Sequence, residues 1–151
     1  MARSVIKTEV LIAAPAERVW AELTNFDAFP SWNPFMLEAS GGLGVGEELK
    51  VKLAMGKRMR LTITPRVTVV RESEELRWLA TLPVRGLFDV DRAFEIKPEP
   101  SQRGGVRFIQ SESCSGALRP LLFAGDYEER VYNGYDALNL ALRERAEAPA
   151  A

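Results

Sequence analysis

A chain of 151 residues with 20 Lys and Arg against 21 Asp and Glu carries a formal charge of −1, which supplies no broad basic field for nucleic acid. Its length suits a single domain, 1–151, able to bury roughly 68–70% of its unfolded surface, and no stretch approaches the ~20 apolar residues of a membrane span. The absence of histidine excludes Ser-His-Asp and Cys-His constellations and closes off histidine metal sites.

Any proton transfer therefore falls to carboxylates, Arg, Lys, Tyr, ordered water or the thiol of Cys114. That cysteine stands alone, so no intrachain disulfide forms, and a reducing compartment is expected. Met1–Ser4 leads into no apolar run, and a cytoplasmic protein is the expectation.

Val5–Ile12 alternates as a strand whose apolar face carries Ile6, Thr8, Val10 and Ile12. Ala14-Pro15 opens a helix, since proline suits the first turn; Val19, Trp20 and Leu23 form its apolar stripe, with Trp20 read as core. Asn25–Trp32 reads as a short, broken helical segment stopped by Pro30 and Pro34. Met36–Ala39 is a further strand. Gly41, Gly42, Gly44 and Gly46 then form a flexible connection, because their spacing matches no phosphate loop and no Gly-Lys-Ser/Thr follows.

From Glu48 the period is two. Leu49, Val51 and Leu53 alternate with lysines, and Leu61, Ile63, Val67 and Val69 continue as a strand that Pro65 interrupts with a bulge or kink. Leu76, Trp78, Ala80 and Leu82 give the next inner face, followed by Phe88, Val90, Phe94 and Ile96. Pro98–Gly105 is a polar turn and Val106–Ser115 the last strand.

One long amphipathic helix is expected over about Leu118–Ala146, with Leu121, Leu122, Val131, Tyr135, Leu138 and Leu142 on its apolar side. Gly134 costs it about 1 kcal/mol relative to alanine and marks a close backbone approach or a bend. Residues 147–151 are expected to fray. Strands at short spacing without helices between them exclude a doubly wound sheet. The expected fold is α+β: a curved antiparallel sheet gripping one helix, with a hollow between them for a small, mostly apolar molecule.

Ala14-Pro15-Ala16-Glu17-Arg18-Val19-Trp20, Leu23-Thr24-Asn25 and Phe29-Pro30-Ser31-Trp32-Asn33-Pro34 resemble the opening of the START-like helix-grip superfamily (SRPBCC, Bet v 1-like), in its polyketide cyclase/dehydratase-like branch. Gly46, Leu76-Arg77-Trp78, Gly86-Leu87-Phe88, Gly105–Gln110 with Glu112, Gly116 and Gly134–Asn139 extend the likeness over nearly the whole chain. The resemblance implies a seven-stranded sheet around the last helix and an internal cavity. Its members include lipid carriers, aromatic polyketide cyclases, hormone receptors and stress proteins, so fold alone does not settle activity. Relatives often carry a histidine where this chain has Arg92, and a histidine-dependent role does not carry over.

Alternation places Val90, Arg92, Phe94 and Ile96 on one inner face and Val106, Phe108, Gln110, Glu112 and Cys114 on its neighbour. Unpaired charges are costly there. Either Arg92 and Glu112 form an internal ion pair, or they serve a ligand, with Arg92 holding an oxygen anion, Glu112 relaying a proton and Gln110 orienting a carbonyl. A register slip by one residue would turn the set outward.

Leu61, Ile63, Trp78, Phe88, Phe94 and Phe108 are the expected apolar enclosure. Trp32 either lines the cavity mouth or plugs the structure. Tyr127 and Tyr135 are candidates to point hydroxyls inward, and Cys114 reads as an inert small apolar group.

The function expected is binding of a hydrophobic or aromatic, lipid- or polyketide-like ligand, without cofactor or metal, by a monomer or homodimer that has no integral membrane association. One alternative is a cofactor-independent cyclase or dehydratase in which Glu112 is the base and Arg92 stabilises an enolate. The other is an interaction module whose interior is filled by its own side chains.

Overall fold

The computed structural model describes residues 3–149. Strand β1 (Ser4–Ile12) leads into helix α1 (Ala16–Thr24), a 3-10 turn (Phe26–Ala28) and the single-turn helix α2 (Phe29–Trp32). Strands β2 (Met36–Ser40), β3 (Lys50–Ala54), β4 (Arg60–Ile63), β5 (Arg66–Arg71), β6 (Glu75–Thr81), β7 (Asp89–Pro98) and β8 (Val106–Ser115) follow, each paired antiparallel with the next except β4 with β5. Helices α3 (Arg119–Ala124) and α4 (Tyr127–Glu147) end the described chain.

The strands form two sheets, β1-β8-β7-β6-β5 and β2-β3-β4. Pro65 causes the division: it cannot donate to a ladder, so the stretch read as one interrupted strand becomes β4 and β5 in different sheets, and eight strands replace seven. The sheets stay joined at that corner by a Glu48–Arg66 bridge and by hydrogen bonds from Leu49 N–H to Pro65 O and from Val67 N–H to Glu47 O. The result is one curved surface wrapped around α4.

Gly125 separates α3 from α4 with a ψ of −147°, and glycine is a poor helix former. The single helix expected over Leu118–Ala146 is therefore two. Leu121, expected on the apolar stripe, is 70% exposed, whereas Val131, Tyr135, Leu138 and Leu142 are fully buried at helical spacing. The tail expected to fray from residue 147 is partly held: Glu147 Oε2 accepts the Ala13 N–H at 2.8 Å, and Ala150 and Ala151 lie outside the described residues.

Gly134 does mark a close approach, made by a side chain. A Cβ there would overlap Cδ1 and Cε1 of the Phe35 ring, which is buried and packs edge-on against Tyr135 at 5.6 Å. Asn33 aims Phe35 inward, its Oδ1 accepting the N–H groups of Phe35 and Met36. Gly134→Ala is expected to lower stability in urea unfolding by about 1–3 kcal/mol through overpacking, although alanine is intrinsically the better helix former by about 1 kcal/mol. A gain in stability would show instead that Phe35 yields freely.

Candidate functional site

The inner faces of β7 and β8 bring the polar residues together because their register sets Arg92 directly opposite Glu112 and Phe94 opposite Gln110. Arg92, Gln110 and Glu112 are all buried, at 2%, 0% and 5% exposure. No ion pair joins Arg92 to Glu112 among the described residues, because each has found other partners.

Arg92 lies in an aromatic cage. Its guanidinium carbon sits 4.4 Å from the ring centroids of both Phe94 and Tyr135, with Phe35 and Trp78 at 5.4 and 5.7 Å. Ring faces attract a desolvated cation at such distances. Nη2 donates to Gln110 Oε1 at 2.5 Å and Nη1 reaches Met36 Sδ at 3.7 Å, while the buried Nε–H has no protein acceptor. Gln110 is held in turn, donating to Asn139 Oδ1 at 2.7 Å and to the Tyr135 carbonyl, and Asn139 donates to Thr8. This chain of amides crosses from β7 through β8 and α4 to β1, and it fixes the orientation of Arg92.

Glu112 is held by phenols. Tyr127 Oη donates to its Oε2 at 2.5 Å and Tyr135 Oη to its Oε1 at 2.6 Å, with the Cys114 thiol donating to Oε2 at 3.2 Å. Burial is the main influence pushing both phenols and the thiol upward from their ordinary pKa values, and the Glu112 charge adds to it; for Tyr135, Arg92 opposes the shift. All three groups therefore remain protonated donors at neutral pH, and Cys114 is no nucleophile.

The space beside this cluster is small. A cavity of about 30 Å³ is bounded by Trp78, Arg92, Glu112 and Tyr127 and by apolar side chains including Met55 and Val131. At roughly 10–15 Å³ per water it has room for one or two waters, so the interior expected to be hollow is nearly filled. Phe35, Met55 and Val131 supply much of the filling from outside the large sheet. Of the residues expected to enclose a ligand, Leu61, Ile63, Trp78, Arg92, Glu112 and Tyr127 line this cavity.

Tyr135, Phe94 and Gln110 touch Arg92 or Glu112 directly, and Phe108 stacks behind Phe94 with centroids 6.3 Å apart. Phe88 packs edge-on against Tyr127 at 5.2 Å. Trp32 does not reach the cavity and lines a shallow surface depression with Ala141, Glu144 and Arg145. The residues that strand alternation did not reveal are Phe35 and Asn139, whereas Thr8 lies on the inner face of β1 as its alternation implies. Asn33-Pro34 before Phe35, and a polar residue one turn after Tyr135, were the available signals.

A larger cleft of about 460 Å³ lies on the surface between Phe26, Asp27 and Pro30 and residues of β2 and β3. Its charges are exposed, as in the Lys52–Glu38 pair at 3.1 Å, and it does not include the buried polar cluster. No group of His, Cys, Asp and Glu among the described residues is arranged to hold a metal ion, and no described helix is long and apolar enough to cross a membrane.

Comparison with known proteins follows the architecture. The model of a family described as polyketide cyclase / dehydrase and lipid transport matches residues 3–147. No curated protein matches the sequence. The fold is similar to that of the Zhui aromatase/cyclase from Streptomyces sp. R1128, with a TM-score of 0.73, 13% identity, and coverage of 97% of this chain and 94% of the other. It is also similar to a START superfamily protein from Mycobacterium smegmatis, with a TM-score of 0.68, 16% identity, and coverage of 95% and 97%. Ara h 8.0201 aligns with a TM-score of 0.68 at 11% identity over 96% of this chain and 98% of its own.

Proposed function

The chain belongs to the polyketide cyclase/dehydrase and lipid transport family, and from that premise we propose that it binds a small apolar or aromatic molecule carrying an oxygen anion or carbonyl, in the interior between the sheet and α4. One observation carries this reading: Arg92 is a fully desolvated cation with no carboxylate in contact and with a buried Nε–H lacking an acceptor. Such a group is costly to hold in an apolar interior, and an oxygen ligand supplies the missing hydrogen bond.

The guest makes room by displacing side chains rather than strands. Met55, on the turn after β3, is flexible enough to re-pack, and Leu61 and Leu82 beside it are only partly buried. Trp78, Phe35 and Tyr135 then form the apolar and aromatic walls, and Gln110, locked by Asn139, keeps Arg92 facing the guest.

The cyclase or dehydratase reading uses Glu112 as the base. Both of its oxygens already accept phenol hydrogen bonds, so proton uptake from a substrate carbon requires Tyr127 or Tyr135 to let go first. The geometry favours binding over proton transfer.

Fluorescence titration with 1-naphthoate and with its methyl ester tests the proposal. A charge-assisted hydrogen bond contributes about 1.5–3 kcal/mol, so the wild type is expected to prefer the anion by at least about tenfold. Arg92→Met is expected to abolish that preference while keeping affinity for the ester. Equal affinity of the wild type for both probes would overturn the role given to Arg92.

A further inference from the structure

One end of the molecule combines exposed apolar side chains with cations, and it is unlike the rest of the surface. The turn 55–60, the loop 82–88 and the segment 116–125 together hold Lys57, Arg58, Arg60, Arg85 and Arg119 and no acidic residue, in a chain where acids outnumber bases by 21 to 20. None of these five cations is in an ion pair among the described residues. Four large apolar side chains project from the same segments: Met59 at 50% exposure, Val84 at 58%, Leu118 at 37% and Leu121 at 70%.

The three segments meet around the first turn of α4. Arg130 donates to the Met55 carbonyl, Ala117 N–H to Gly86 O at 3.0 Å and Leu118 N–H to Leu87 O at 2.8 Å, while Phe88 and Phe123 both pack on Tyr127. The acids that border them are partly engaged. Asp89 accepts the Gly86 N–H and Asp126 pairs with Arg130 at 2.8 Å, whereas Glu128 and Glu129 face a depression shared with Tyr132.

We propose that this end docks on the surface of an anionic lipid bilayer. Isolated exposed apolar side chains are ordinary. Here four project from three segments at one end, beside Lys57, Arg58 and Arg85, long cations whose stems suit apolar surface while their heads reach phosphates; Arg119 and Arg60 instead donate to Ser4 Oγ and to the Gly56 and Met59 carbonyls. That is the composition that seats a protein in the headgroup region, where apolar insertion and attraction to anionic lipid act together. The docking stands on the surface residues alone and is independent of what the cavity takes.

Vesicle co-sedimentation of the full chain tests it, using phosphatidylcholine alone and phosphatidylcholine with about 30% phosphatidylserine. Binding is expected only to the anionic vesicles at about 0.1 M salt, with loss at about 0.5 M, where charges are screened. Each basic residue near the surface accounts for roughly a fivefold change in partitioning. The double variant Lys57→Glu/Arg58→Glu is therefore expected to lose at least about 25-fold, and Leu121→Ser about tenfold.

Lys7→Glu/Lys50→Glu changes the net charge equally from positions outside these segments and is expected to bind as the wild type does. Absence of binding to anionic vesicles would overturn the proposal, as would binding that the Lys57/Arg58 and Leu121 variants leave unchanged. Retention on a soluble polyanion without vesicle binding would assign the surface to a different partner and equally overturn it.

Discussion

Glu112→Ala is expected to lower the stability of the protein by about 3–5 kcal/mol, the largest effect of any single polar substitution in the cluster. Two buried phenols donate to this one side chain, at 2.5 and 2.6 Å. Hydrogen bonds to a charged group contribute about 1.5–3 kcal/mol each, and a donor left buried without a partner bears its full desolvation cost. For a chain of this length the loss corresponds to a fall in Tm of roughly 10 °C, readable in urea and thermal unfolding.

The three groups act as a unit, so their effects do not add. Tyr127→Phe/Tyr135→Phe in the Glu112→Ala background is expected to recover part of the loss by removing the orphaned hydroxyls. Simple additivity of the three substitutions would contradict the network.

Alkali is expected to unfold the protein steeply. Tyr127, Tyr135 and Cys114 have folded-state pKa values raised by burial above their ordinary values of 10.0, 10.0 and 9.0. Groups shifted upward contribute their full stabilisation while the unfolded chain is still protonated, and lose it as pH climbs past the unfolded values. Above pH 9 to 10 the unfolded state holds fewer protons than the folded one, so stability falls with pH.

With all three groups titrating in the unfolded chain, the slope approaches about 4 kcal/mol per pH unit, at 1.36 kcal/mol for each proton. Urea unfolding at successive pH values from neutrality upward reads that slope, and tyrosinate absorbance from Tyr127 and Tyr135 should appear together with the loss of helix. Replacing Tyr127 and Tyr135 by Phe should flatten the dependence. Ionisation of these two tyrosines in a chain that remains folded would contradict their burial.

Strand alternation is a strong signal when one face is buried, and it is readable here along β7 and β8, whereas the bulge between Val67 and Val69 in β5 leaves Val70 rather than Val69 packed on the core. The bounds of β8, Val106–Ser115, follow from its period of two, and alternation turned Arg92, Gln110 and Glu112 inward, where all three are buried. Partners were not readable, because a pattern gives a direction and not a distance. Arg92 and Glu112 face one another across two strands, yet aromatic rings and Gln110 engage the first, and phenols on α4 engage the second.

Breaks were harder to place than elements. Pro65 reads as an interruption, but whether it bends a strand or moves the chain to another sheet depends on tertiary packing. The apolar positions Leu121 and Leu122 continued the helical period, while Gly125 ended the helix between them and α4, leaving Leu121 on the surface. The size of the interior was not legible at all. It depends on Phe35, which reaches the helix from a connecting segment outside any periodic pattern.

The most direct test of an oxygen-bearing guest at Arg92 is the side-chain Nε–H resonance of that residue in labelled protein titrated with 1-naphthoate. The expected result is a large, saturable shift of Arg92 Nε–H accompanied by changes at Trp78 and Tyr135. Perturbation confined to the surface cleft at Phe26 and Lys50, with the Arg92 signal unmoved at saturation, would contradict the interior site.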